Sequence, residues 1–198
     1  ELLLIRLIGT EIRIFAYFSN LLLLGIFIGS GLGMLLKRQV SVSLTSILLL
    51  VVTIILVFGW MFHITDWLSP LSENLLWFQS SQDSIGLAFL GFILTLFLFF
   101  LIIGIFIPLG QILGNLFEKT NKLILVYSIN VVASLFGMWL FQTVSIFNIP
   151  LFLCIIFVQI LLIFLVENKI QRNIVLFCLL LSMIFVFIYY KKNSDQTI

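Results

Sequence analysis

Residues 21–36, LLLLGIFIGSGLGMLL, decide the fold. The stretch carries no charge, and Gly25, Gly29 and Gly33 recur at every fourth position with Gly31 between them. In water each glycine would cost a helix roughly 1 kcal/mol relative to alanine. In hydrocarbon the backbone can bond only to itself, so the segment becomes helical anyway. Glycines four apart line one face, and a second helix can approach that face to backbone contact; packing of this kind holds helices together in lipid. The rest of the chain reads as helices arranged around this surface.

The 198 residues are 63% hydrophobic and 9% charged, with a mean hydropathy of +1.32. A water-soluble core cannot hide that much apolar surface, which excludes a soluble domain. The net charge of +2, scattered along the chain, gives no footprint for nucleic acid. Cys154 and Cys178 fall inside apolar runs and read as small packing residues rather than as a disulfide or metal site. No cofactor is expected. The chain opens at Glu1 with neither a methionine nor a signal-peptide pattern, so upstream residues are expected.

A span takes about 20 predominantly apolar residues. By that measure the fold class is all-α, a polytopic integral membrane helix bundle of about seven transmembrane segments: 1–15, 17–36, 44–64, 85–117, 123–147, 151–166 and 173–190. All 198 residues form one transmembrane domain, with no soluble catalytic domain. The long fourth segment would measure roughly 50 Å as a helix. Pro108, which removes a donor and frees a carbonyl one turn earlier, is expected to kink or break it. Around Pro108 the chain reads GIFIPLGQILGNLF, where Gly104, Pro108 and Gly110 match Gly25, Gly29 and Gly31, as after an internal duplication.

Loop charges supply an orientation. Lys37 and Arg38, Lys119 and Lys122, and Lys169 and Arg172 occupy alternate loops, while 65–84 holds Asp66, Glu73 and Asp83 without Lys or Arg. The positive-inside rule then makes the loops 37–41, 118–122 and 167–172 cytoplasmic, in a cell (inner) membrane. Lys191 and Lys192 fall on the other side, against the rule. The stretch 65–84 reads as an extracytoplasmic interfacial loop, with Ser69 and Pro70 opening a short helix and Trp60, Trp67 and Trp77 as an aromatic belt.

Polar groups at membrane depth are costly and normally face the bundle interior or a wet cavity. Glu1 and Arg6 are the first such candidates, whereas Glu11 and Arg13, with Tyr17 beyond, suit the headgroups. Gln111 and Asn115 stand one turn apart just past Pro108. In the fifth segment Asn130, Ser134 and Gly137 share a face with Ala133, which makes that face the natural partner for the glycine row. The ligand-binding set is therefore Glu1, Arg6, Gln111, Asn115, Asn130 and Ser134, and the helix-packing set Gly25, Gly29, Gly33, Gly110, Gly114 and Gly137.

Each polar residue also has a plainer reading as interhelical glue, at about 0.6–2 kcal/mol per bond. Gln142 and Gln159 share that ambiguity. His63, one turn from Asp66, is either half of a proton-responsive pair or an interfacial histidine. One histidine supports no Ser/His/Asp, Cys/His or metal spacing, so no residue reads as catalytic or metal-binding.

Taken in order, Glu1-LLLI-Arg6, AYFSNLLLLGIFIGSGLGMLL, FIPLGQILGNLF and YSINVVASLFGMWLF resemble the membrane portion of the spermidine-synthase-like membrane proteins. The similarity covers about three quarters of the chain, through Phe141, and rests on glycine-rich motifs. It implies a bacterial multi-helix module associated with a soluble aminopropyltransferase-like domain. The recurrent polar positions would be Glu1, Arg6, Tyr127 and Asn130. The enzyme's own features are missing, since no strand precedes a Gly-rich nucleotide loop and no soluble acidic site could hold a polyamine.

The expected function is small-molecule binding or transport across the membrane; the resemblance points to polyamines. A cationic substrate calls for acidic groups in the site, however, and Glu1 and Glu11 are the only early candidates, which weighs against polyamine export. The alternative is a structural or assembly subunit that docks another membrane protein through its glycine face. Expected partners are the lipid bilayer and either a soluble synthase-like domain or another membrane subunit.

Overall fold

The computed structural model describes residues 1–11, 19–36, 40–61, 84–119, 123–147, 149–166 and 168–195. Among them every regular element is an α-helix: α1 (Leu2–Glu11), α2 (Ser19–Leu35), α3 (Val42–Met61), α4 (Ser84–Lys119), α5 (Leu123–Ile146), α6 (Leu151–Leu165) and α7 (Lys169–Asp195). Arg13, Tyr17, Lys37, Arg38, His63, Asp66, Trp67, Ser69, Pro70, Trp77 and Lys122 lie outside the described residues, as does most of the interfacial loop.

Among the described residues three stretches are long and apolar enough to cross a membrane: Phe92–Lys119, Ile124–Ile146 and Lys169–Ile188. Asn20–Leu35, Val42–Val57 and Leu153–Leu165 are apolar but shorter. The expected seven clear spans are therefore not found. Helices α2 and α6, at 17 and 15 residues, rise only about 22–26 Å, less than a hydrocarbon core of about 30 Å.

The ends of the helices follow local chemistry. Ser41 precedes α3, where its Oγ accepts the Ser43 amide at 3.3 Å and its carbonyl accepts that of Leu44 at 3.0 Å. Pro150 stands before α6 and its carbonyl accepts the Leu153 amide. Two expected loops shrink. Glu118 and Lys119 complete the last turn of α4, and Lys169 and Arg172 already belong to α7.

Of the kink or break expected at Pro108, the break is corrected, because α4 is helical from Ser84 to Lys119 with Pro108 inside it. Proline removes one intrahelical bond, but the turns on either side are held by packing. Ile102, Ile105 and Phe106 before it and Gly110 and Gln111 after it are all buried. The helix thus runs unbroken for about 54 Å.

Helix α4 is the hub, packed most extensively against α2 and also against α3. Helix α7 lies on α3 and α6, and α1 touches α2, α3 and α6. The shared core comprises Leu7 and Ile8 of α1, Leu22 and Ile26 of α2, Leu49 and Val52 of α3, Leu98 and Ile102 of α4, Ile155 of α6 and Val175 of α7. Helix α5 stands apart, with sparse contacts to α1 and α4 and none of its membrane-length stretch buried.

Glycine explains why α2 and α4 come so close. A Cβ on Gly29 would lie 2.5 Å from the Ile103 carbonyl oxygen, and one on Gly33 would collide with that of Ile107. Reciprocally, a Cβ on Gly110 would strike the Ser30 carbonyl, and one on Gly114 would sit 3.2 Å from Met34 Cα. Gly25 faces the Phe99 ring more loosely, at 3.1 Å. The glycine row therefore meets α4, not the stripe of α5 that the sequence suggested. Gly137 has nothing within 4 Å of its Cβ position. The second small surface lies in GIFIPLGQILGNLF itself, where Gly110 and Gly114 present the backbone that α2 needs.

Candidate functional site

The expected site residues do not converge. Gln111 is 6% exposed, and both ends of its amide are engaged: Oε1 accepts the Val40 amide at 2.7 Å and Nε2 donates to the Leu36 carbonyl at 3.3 Å. It is a brace for the α2–α3 connection. Asn115, one turn further along α4, is exposed. On α5 the Ser134 hydroxyl donates to the Asn130 carbonyl at 2.9 Å, an ordinary i−4 bond within one helix, and Asn130 is half-buried.

Glu1 and Arg6, the first two candidates, have different surroundings. Glu1 is exposed, whereas the Arg6 guanidinium donates to Ser145 Oγ on α5 and lies 5.8 Å from the centre of the Phe141 ring. Arginine suits that position, since its planar fork bonds at its edge while its face rests on an aromatic ring. The result is one of the few ties between α5 and the bundle.

A cavity forms instead where α1, α3, α4 and α6 meet. Its volume is about 90 Å³. Leu3 and Leu4 close it from α1, Leu49 from α3, Ile105, Phe106 and Leu109 from α4, and Ile155, Val158 and Leu162 from α6. Two polar residues join this lining. Thr45 donates its hydroxyl to the Ile105 carbonyl at 3.1 Å, and Glu1, an exposed residue, is the second. The wall is apolar because Ile155, Val158 and Leu162 fall on one face of α6 at helical spacing. Among the described residues no group of three His, Cys, Asp or Glu gathers to hold a metal ion.

Sequence reasoning selected Glu1 but missed the cavity and Thr45. Thr45 follows Ser41 and Ser43 in a hydroxyl-rich helix start, a pattern that could have been flagged. The cavity itself is a product of helix angles and leaves no local mark. No protein-family model matches the chain, and neither a curated protein nor a solved structure matches it.

Proposed function

We propose that the chain is a polytopic module of a cell membrane that binds a small molecule with an aliphatic stem and a cationic head. The membrane reading is supported by the bundle's exterior, where Ile124, Phe164, Leu35 and Trp139 are each more than three quarters exposed. Apolar surface on that scale is at home against acyl chains and not against water. Helices α4, α5 and α7 are then full spans, α3 with its 20 residues matches the hydrocarbon thickness, and the shorter α2 and α6 are accommodated by local thinning of the bilayer. Lys119, Lys169 and Arg172 mark the cytoplasmic side.

The cavity with Glu1 among its lining residues carries the binding reading. It is smaller than the pocket of about 150 Å³ that accepts benzene, so it suits a stem of only a few methylenes. A carboxylate beside such a slot recognises an ammonium group. Short aliphatic amines have that chemistry, in keeping with the resemblance to membrane modules of spermidine-synthase-like proteins. Binding is preferred over passage because α2 and α4 are in backbone contact along their seam.

Thermal unfolding of the detergent-solubilised protein with a series of short alkylamines tests this reading. The midpoint should rise with amine concentration, less so in Glu1→Gln, and Leu162→Phe, which fills the slot, should abolish the response. A midpoint indifferent to every amine would reject it. The exposure of α5 favours a second reading, a subunit whose α5 lies along a helix of another membrane protein. Loss of a co-purifying membrane subunit on Gly137→Leu, with amines inert, would select that alternative.

A further inference from the structure

Three helices meet in a polar layer that neither the cavity nor the glycine seam uses. Ser46 of α3, Gln159 of α6 and Ser182 of α7 are each 0% exposed. Ser182 Oγ lies 2.7 Å from Gln159 Oε1 and 2.8 Å from the Leu179 carbonyl oxygen. A hydroxyl has one proton, so it serves one of these acceptors at a time. Ser46 lies against the buried thiol of Cys178, and sulfur is a weak hydrogen-bond partner. Ser46 Oγ and Gln159 Nε2 are left with no proper partner among the described residues.

This distinguishes Ser46 from the other buried hydroxyls. Thr45 donates to Ile105, Thr53 to Leu49 and Ser182 to Leu179, and Ser43 pairs with Ser41. Ser46 does not turn back on its own helix as Thr53 does. A buried amide N–H is costly when unpaired, and leucine would fill much the same volume as Gln159 at no such cost. The two orphaned groups are also close in register. Cys178 and Ser182 stand four residues, about 6 Å of axial rise, apart on α7 and share one face of that helix, the face that Ser46 and Gln159 meet.

We infer that the junction of α3, α6 and α7 is a binding site for an ordered water that accepts the Gln159 Nε2 proton and donates to Ser46 Oγ. Its second proton is directed at the Cys178 sulfur, and the water completes a hydrogen-bonded layer joining all three helices. Buried waters commonly make about three such bonds.

Hydroxyl-radical footprinting in H₂¹⁸O tests the site, because a radical formed on a bound water oxidises the nearest thiol. Cys178 should be labelled several-fold more than Cys154, which is also buried and lies five residues before Gln159 on α6. Uptake of ¹⁸O at Cys178 should lag behind that at exposed Trp139, and the excess should vanish in Ser46→Ala and Gln159→Leu. Equal labelling of the two cysteines in the unaltered protein would overturn the proposal without need of any variant. Unfolding midpoints give an independent check. Gln159→Leu should lower the midpoint if water completes the amide's bonds, and a raised midpoint would mean that the amide is simply unpaired.

Discussion

Gln111 Oε1 accepts the backbone amide of Val40 at 2.7 Å across 71 positions of sequence. With its Nε2 on the Leu36 carbonyl, one side chain of α4 fastens both ends of the connection between α2 and α3. That connection includes Lys37 and Arg38, so Gln111 acts on the exit of α2.

Replacing Gln111 with leucine should cost about 1–3 kcal/mol, the range for leaving buried backbone partners unpaired. Unfolding in mixed micelles measures the loss. Amide exchange at Val40 should speed up while that of the α2 interior is unchanged.

The glycines should rank by what a methyl would meet. Gly33→Ala and Gly110→Ala each drive a Cβ into a carbonyl of the facing helix and should destabilise by about 1–3 kcal/mol. Gly114→Ala should be milder. Gly31→Ala and Gly137→Ala meet open space and should be neutral, or gain up to about 1 kcal/mol of helix propensity. A melting series on the single variants reads this order directly.

Pro108→Ala should leave the helix content of α4 unchanged and should not lower the unfolding midpoint, because the helix is already continuous through that position. Circular dichroism and a thermal scan suffice. A drop in midpoint would show that the missing amide serves the fold.

Arg6 and Ser145 should be energetically coupled. In a double-mutant cycle of Arg6→Met and Ser145→Ala, the coupling should reach about 1.5 kcal/mol, as for hydrogen bonds to charged groups. The Arg6 variant should lose more on its own, through its contact with Phe141.

Residues 21–36 announced a close-packing helix on composition alone, and the structure has α2 in backbone contact with a neighbour. The partner was misread. Small residues at Ala133, Ser134 and Gly137 look as suitable as Gly110 and Gly114, and spacing along a helix says which residues share a face but not which face another helix meets. The polar candidates meet a related difficulty. A lone Gln in an apolar run signals that its amide must be satisfied, but whether by ligand, loop or neighbour depends on distant chain, as Gln111 with Leu36 and Val40 illustrates. Pro108 misled because a local rule about one lost bond was weighed without the packing on both sides of it. The cavity wall on α6 is readable as a stripe only once α1, α3 and α4 are known to surround it.

The interlock of α2 with α4 also limits how this molecule can move. Carbonyls seated over glycines on both sides permit neither a fractional slide nor a roll, so relative displacement would have to jump a whole turn and separate the pair first. Those two helices form a keel, and any opening of the chain must swing α5, or α6 with α7, about it.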